Sequence, residues 1–590
     1  MNLTKILEKG YFPKELPPPF TTKPFGQKSR YIVKKWDEYV TQLMIPLPSE
    51  ASNRQAKSRY KPILNKYAIS KLIEFSISKG QYSRRKLEIP HPQAYFYLCR
   101  EIVNNWKLLK TVYKLSPYSE SKLYSENANK RSIRTKSISW KRFRNKLTEI
   151  SFDYKVQLKL DITNFYPTIY THSIPWSILG KEDSKYYFEI KNIDSNSFET
   201  LTLTDQKARN YKIADKIDTL VRNCNDKQSV GLPISPDSSF ILSEMVSSRI
   251  DQELKIELEG MDYKCVRYYD DYYFYTNSIS DADTILKKTQ KILYEYKLEV
   301  NENKVEIKQL PYFHSDLWNL EVHNYNFKEQ YARDIQEIEY YFSLIFKLVE
   351  ENRENSSWII SYSLTRFEYG NVQIKLDQIG IFISLLLKTL YLDTSNIDQI
   401  FKIIYNYKIF IDQNELRKIK ILLDKLIKEH IALNHSFEIA WCLWFYKSFD
   451  INCSIEILQS ILDSEDQISI LIALDIINNH GINKRKLDFT LVNNKISTDN
   501  LYNKQWLMCY EIEKKEWLDV TLNNIDDHAF FKILKNHNVY FYNEQAQIKR
   551  QFITSEMEEK QNEAKILQWI TEFLESKITE EEEEKEDETY

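Results

Sequence analysis

The sequence predicts an α+β unit followed by an all-α half. Three observations carry this. Residues 155–162 alternate with period 2, placing Val156, Leu158, Leu160 and Ile162 on one face of a strand that ends at Asp161. Residues 264–276 are two β-rich runs around Asp270-Asp271, the pattern of a hairpin with a carboxylate pair at its turn. From about residue 330 the apolar positions recur at helical spacing, as in Ile335, Ile338, Tyr341, Phe342, Ile345, Phe346 and Val349.

Five segments follow from a pass along the chain. Residues 1–50 hold Pro13, Pro17, Pro18, Pro19, Pro24, Pro46 and Pro48, and over 11–50 predict an extended arm rather than a helix or strand. Residues 51–150 are a basic block, helical with short strands, that includes Arg84-Arg85-Lys86-Leu87-Glu88-Ile89-Pro90-His91-Pro92. Residues 151–325 hold the predicted strands. Within them, residues 181–228 are polar without clean periodicity and predict an irregular insertion. A helix is expected from Pro236-Asp237-Ser238, capped by Asp or Ser, with Ile241, Leu242, Met245, Ile250 and Leu254 along it. Ser280 or Asp281 should cap another, and a strand from Leu298 to Ile307 is interrupted at Asn301–Lys304. Residues 326–576 predict a helical, HEAT- or solenoid-like domain, although no fixed sequence period marks a repeat. Residues 577–590, with eight acids and two lysines, predict a solvated disordered tail.

Composition narrows the function. The net charge is only −2, yet residues 1–150 carry 31 Lys and Arg against 11 Asp and Glu, and the remainder 51 against 73. A split of this size points the first quarter at a polyanion, with a merely lysine-rich surface as the alternative. Hydrophobic residues at 42% and aromatics at 14% indicate a globular chain. No apolar stretch reaches 18 residues, so no membrane-spanning helix is expected, and the first residues lack a signal-peptide core. Six cysteines (99, 224, 265, 442, 453, 509) form no CxxC pair, which argues against a zinc ribbon or a disulfide scaffold and for a reducing cytoplasm. There is neither a GxxxxGK[ST] nor a GxGxxG motif.

The acids suggest the chemistry. Phosphoryl transfer from a nucleoside triphosphate uses two divalent ions about four ångströms apart, and Mg2+ prefers hard carboxylate oxygens. Asp161 at a strand end and Asp270-Asp271 at a hairpin turn meet that demand if their strands are neighbours. In a chain with 84 acids and 41 tyrosines, a Tyr-x-Asp-Asp string alone is also compatible with surface carboxylates in polar turns.

The order of several such strings is more specific. Leu160-Asp161-Ile162-Thr163-Asn164-Phe165-Tyr166, Gly231-Leu232-Pro233, Tyr268-Tyr269-Asp270-Asp271 and Leu298-Glu299-Val300-Asn301-Glu302-Asn303-Lys304 resemble, in sequence order, the motifs of the reverse transcriptase family. Leu310-Pro311-Tyr312-Phe313-His314-Ser315-Asp316-Leu317 resembles the next hairpin more weakly. The extension Asn164–Trp176, with Ile89-Pro90-His91-Pro92-Gln93-Ala94-Tyr95 and Gly231–Pro236, resembles bacterial abortive-infection and other defence-associated members. The chain departs from ordinary retroelement enzymes in having Val230 where many have Gln. It also has no recognisable RNase H, integrase or maturase segment.

The resemblance implies a right-hand polymerase, with fingers in residues 51–150 and palm in 151–325. It implies Mg2+, or Mn2+ in its place, held by Asp161 and Asp270, with Asp271 and the Ile162 carbonyl as further ligands. Tyr166 would exclude a 2′-hydroxyl. Gly231 would let the backbone approach the incoming base pair. Lys304 would protonate the pyrophosphate or orient the triphosphate, with a plain surface lysine as the alternative, and Arg84, Arg85 or Lys86 would grip the triphosphate, since a guanidinium fork binds phosphate bidentately. His172, Tyr268 and Tyr269 belong to the motifs, and a local structural role is expected for His172. Tyr95, Tyr97 and Trp106 are expected to be core more often than stacking platforms.

The implied function is synthesis of single-stranded DNA from dNTPs in phage defence. Some members of the family work without a template, and some prime from a protein tyrosine, leaving a covalent DNA–protein link. The alternatives are copying of a bound non-coding RNA and a non-catalytic nucleic-acid-binding scaffold. The family also makes a homo-oligomer plausible.

Overall fold

The computed structural model describes residues 1–45, 69–79, 83–124, 131–135, 140–312, 316–327, 331–332, 335–520, 522 and 528–548. The acidic tail, Pro46, Pro48, Phe313, His314 and Ser315 lie outside these residues.

The proline-rich start is only partly an extended arm. Residues 11–22 are irregular, but Lys23–Gln27 and Ser29–Met44 are helices. The prolines flank the longer helix without entering it, and Ile32 and Trp36, four positions apart, bury one of its faces. The arm lies between two parts of the chain. Tyr11 stacks on Tyr95 at 4.3 Å and meets Phe541 edge-on. Thr21 donates its backbone N–H to the Phe541 carbonyl, and Asn543 donates to the Pro19 carbonyl.

The basic block opens with an antiparallel hairpin, β1 (Ile73–Lys79) and β2 (Ser83–Ile89). The helix Pro92–Asn104 follows, with Pro92 at its first position, where a missing N–H costs nothing. A two-residue ladder pairs β3 (Leu123–Tyr124) with β4 (Arg134–Thr135).

The period-2 strand is β5 (Val156–Asp161). It sits inside a four-stranded antiparallel sheet with β6 (Lys264–Tyr268), β7 (Asp271–Thr276) and β8 (Glu306–Gln309), in the order β6-β7-β5-β8. Leu158, Leu160, Tyr272 and Phe274 bury one face, under the helix Ile279–Glu295. The expected strand over Leu298–Ile307 is realised as an Ile162–Val300 bridge, a 3-10 turn at Glu302–Lys304, and β8.

Three other expectations change. Residues 181–228 are not irregular: Lys181–Ile193, Ser195–Thr204 and Gln206–Cys224 are helices around a small core of Tyr187, Phe198, Ala208 and Tyr211. The helix Asp237–Glu257 starts at Pro236 without a side-chain cap, because Asp237 instead faces Arg131 and accepts from Ser132. The cap of Ile279–Glu295 is Ser278, whose hydroxyl accepts from the Asp281 N–H.

From Ile335 to Asn536 the chain is helical, apart from short connections and the two-residue strand Gln373–Ile374. Its apolar faces join one core with the arm and the basic block, including Trp441, Trp506 and Phe541. Each such large side chain contributes about 2–3 kcal/mol on burial. Among the described residues no helix is long and apolar enough to cross a membrane.

Candidate active site

Asp161 ends β5 and stands opposite Asp271, the first residue of β7, in the antiparallel register. Asp270 precedes it in the turn of the β6–β7 hairpin, where Tyr268 pairs with Asp271 and Tyr269-Asp270 form the two-residue loop. Such loops demand positive φ, and Tyr269 adopts φ +57°. For a tyrosine this backbone costs about 1–3 kcal/mol and persists only where its surroundings over-determine it.

Those surroundings are a buried polar network. Arg267 is fully buried and donates to Asp251 (2.9 Å), to Glu244 (3.0 Å) and to the Tyr269 carbonyl (2.7 Å). Ser121 accepts the Tyr269 N–H at 3.0 Å and donates to Glu244. Tyr272 adds a hydroxyl to Asp251. The N–H and the carbonyl of Tyr269 are thus both held by groups tied into this network.

The acids crowd one another. Burial, then the charge of Asp161, pushes the Asp270 carboxyl up, against its own backbone N–H, Lys304 and Arg85. Burial and the Asp270 charge push Asp271 up to about 7, against Lys159. Lys304 Nζ lies 3.2 Å from Asp161 Oδ2, and Asn301 Nδ2 3.3 Å from the same oxygen. Asn301 also donates its backbone N–H to the Asp161 carbonyl, and Thr163 to Glu299. These two bonds flank the Ile162–Val300 bridge, so the Ile162 carbonyl takes no part in it. Asp161, Asp270 and Asp271 do not bring one carboxylate oxygen each within 4.8 Å of one another. Lys304 holds Asp161. Crowded hard oxygens with raised proton affinity are nonetheless the donor set that Mg2+ takes.

Tyr166 and Tyr269 line a cavity of about 430 Å³ beside the hairpin, with Ile234, Phe240, Arg131 and Asp237. Burial pushes the Tyr166 phenol up, so it stays neutral, and Ser243 bonds it. The Gly231 turn is built onto the segment after Tyr166. Gly231 donates to the Ile169 carbonyl and Leu232 to the Tyr166 carbonyl, both at 2.9 Å. Gly231 has φ +96°, and a Cβ there would come 3.3 Å from the Pro167 carbonyl.

The three basic candidates separate. Arg84 is committed to Glu438 of the helical half, with a bidentate pair at 2.6 and 2.8 Å, so it does not face the acids. Lys86 is exposed and pairs with Glu74 across the hairpin. Arg85, on the opposite face of β2, is the one whose charge acts on Asp270. Sequence reasoning missed Lys79 and Lys159. Lys79 shares the face of Arg85 in the hairpin register, and the charges of Asp161 and Asp270 reach it. Burial, then Arg85 and Lys304, pulls its ammonium below the ordinary value. Lys159 lies two residues before Asp161, on the same face of β5. Period-2 alternation was the available signal for both.

His172 Nδ1 lies 2.9 Å from Asp218 of the insertion, a tether consistent with the expected structural role. Tyr268 packs on Phe143 at 4.6 Å, away from the cavity. Tyr95 is core, Tyr97 accepts from Trp36 at 2.6 Å, and Trp106 packs on Tyr113.

Residues 110–327 match the family model described as reverse transcriptase (RNA-dependent DNA polymerase). Among solved structures, the chain is similar to telomerase from Candida albicans in complex with a TWJ fragment of telomeric RNA. The identity is 14% and the TM-score 0.26, over 60% of this chain and 66% of that one. It is also similar to apo telomerase from Candida tropicalis truncated from the C-terminal domain (13%, TM-score 0.28, covering 50% and 57%) and to apo telomerase from Candida tropicalis (12%, TM-score 0.29, covering 78% and 73%). The chain therefore spans just under two thirds of the first of these structures. No curated protein matches the sequence.

Proposed function

We propose that the reverse transcriptase-like polymerase domain at residues 110–327 adds dNTPs to a growing DNA strand, within a chain divided into fingers (51–150), palm (151–325) and a helical domain (326–576). The observation that carries this reading is the register that sets Asp161 against Asp271, with Asp270 in the strained turn beside them. Asp161 and Asp270 would hold two Mg2+ ions, with Asp271 and the Ile162 carbonyl completing the set. When bound, the ions supply activation of the attacking hydroxyl and neutralisation of the leaving pyrophosphate.

The remaining work falls to the chain. Arg85 and Lys79 present cations beside the acids, where a triphosphate's negative charge is compensated. Lys304 is released from Asp161 and turns to the phosphates. Tyr166 forms the floor under the sugar and leaves no room for a 2′-hydroxyl. The Arg267 network fixes the turn, so the Asp270 carboxylate is positioned before substrate arrives.

The finer reading is a cytoplasmic antiphage polymerase that works without a template and primes from a tyrosine. Its support is the likeness of the Asn164–Trp176 extension and of Ile89–Tyr95 to defence-associated members. The RNA-templated reading is supported by the basic surplus of the first 150 residues. One assay separates them. Purified protein is incubated with Mg2+ and labelled dNTPs, without added template or primer, and the product is split between protease, nuclease and RNase treatments. A product sensitive to both protease and nuclease supports protein-linked synthesis. Loss of incorporation after RNase pretreatment supports an RNA template. No incorporation, with Asp270→Asn still protective in cells, overturns both and leaves the scaffold.

A further inference from the structure

The corner between the helices Gln413–Ile431 and Ser436–Ser448 gathers three side chains of metal-ligating type, far in sequence from the catalytic acids. His430 lies in the last turn of the first helix, His435 is the residue before the second, and Glu438 is in its first turn. Their ligand atoms all lie within 4.8 Å of one another, and among the described residues they are the only such group.

The corner is rigid. Asn434 takes φ +52°, and the His435 N–H bonds back to the His430 carbonyl at 3.2 Å, closing the end of the first helix. Both imidazoles are partly exposed, and their Nδ1 atoms stand 2.7 Å apart. A hydrogen bond at that distance consumes one proton and one lone pair. With that proton released and the nitrogens parted to about 3.3 Å, the separation set by two Zn–N bonds of about 2.0–2.1 Å at a tetrahedral angle, the two rings become two sides of a metal's coordination shell.

Glu438 supplies the third. It is fully buried, and its orientation is set by Arg84 at 2.6 and 2.8 Å and by the Thr394 hydroxyl at 3.0 Å. Oε1 accepts from both partners, while Oε2 accepts from Arg84 alone and keeps a lone pair free for an ion. A carboxylate ligand held by outer hydrogen bonds, beside two imidazoles, is a donor set for Zn2+, and the partial exposure of both histidines leaves room for a water as fourth ligand. Mg2+ and Ca2+, which require oxygen-rich shells, do not suit it.

We propose that His430, His435 and Glu438 bind Zn2+, at the point where the fingers hairpin meets the helical half through Arg84. The ion joins the two helices and fixes the carboxylate on which Arg84 docks. Its role is separate from nucleotide addition, and the inference does not depend on the polymerase reading.

The test uses the full chain, stripped with EDTA, dialysed, and held in excess Mg2+ so that the catalytic acids do not compete. Titration with Co2+ should give the visible absorption of a four-coordinate site, and Zn2+ should abolish it. About one Zn2+ per chain should remain after gel filtration. His430→Ala and His435→Ala should each weaken binding by about tenfold or more, with the circular dichroism unchanged. Zn2+ should raise Tm in the parent chain and not in the variants. Absence of the Co2+ band at saturation overturns the proposal, whether or not the variants fold. Zn2+ binding that survives unchanged in both histidine variants overturns it as well.

Discussion

The Arg267 guanidinium donates a 2.7 Å hydrogen bond to the Tyr269 carbonyl, the peptide that leads directly into Asp270. The same group pairs with both Glu244 and Asp251, so one buried side chain links palm stability to the placement of the proposed metal ligand Asp270. Arg267→Met should leave two carboxylates buried and unpaired and lower stability by about 3–5 kcal/mol. Arg267→Lys keeps the charge but lacks the fork. It should retain most of Tm and still lower kcat for dNTP incorporation, with KM little changed. Equal loss of kcat and Tm in both variants would reduce Arg267 to a fold residue.

Asp270→Asn should abolish incorporation, with kcat down by about 10²-fold or more. Burial and Asp161 already push this carboxyl up, so its charge is disfavoured in the metal-free fold. The variant should therefore be slightly more stable than the parent without metal. Chemical denaturation in EDTA measures this, and a marked loss of stability would contradict it.

Tyr166→Ala should open the floor beneath the sugar. The dNTP-to-rNTP ratio of kcat/KM should fall by roughly 10- to 100-fold. Unchanged sugar selectivity would remove the gate and leave Tyr166 as a wall of the cavity.

Arg84 and Arg85 are adjacent but face different parts of the molecule. Arg84→Ala strands a buried Glu438 and should cost about 3 kcal/mol in stability, with the KM for dNTP nearly unchanged. Arg85→Ala should do the reverse, raising KM with Tm preserved. A KM effect confined to Arg84→Ala would reverse this assignment.

His91 gives an acid limit. Its Nε2 bonds the Leu501 carbonyl at 2.8 Å, its Nδ1 accepts from Gln93, and burial pulls it down to about 3. The folded value lies below the unfolded one, so the neutral ring's contribution is complete above about pH 6.5 and fades as the pH falls toward 3. The slope of unfolding free energy against pH over this window should flatten in His91→Gln.

The sheet and its acids were legible because their signals are local. Alternation in 155–162 and the turn at Asp270 need no distant partner. The insertion was not, because polar residues mask its trace: Gln206–Cys224 buries Ala208, Tyr211, Ala214, Ile217 and Val221 at helical spacing, but its small core is completed by Tyr187 and Phe198 from two other helices. The helix Ser29–Met44 was obscured by prolines that only flank it. The division of labour between Arg84 and Arg85 is set by Glu438, 354 positions away, and no window of sequence contains it. Lys79 and Lys159 were within reach, since counting alternate positions from Arg85 and Asp161 finds them.

The backbone bonds from Thr21 to Phe541 and from Asn543 to Pro19 also set an order of events during synthesis. At roughly 5–20 residues per second, the ribosome needs on the order of a minute to reach Phe541 after making Tyr11. Throughout that interval the arm's aromatic rings lack Phe541 and Tyr542, which cover them. A segment made well before its cover is thus among the last to be secured, and until residues 541–543 emerge its aromatic rings stay exposed to aggregation and to chaperones.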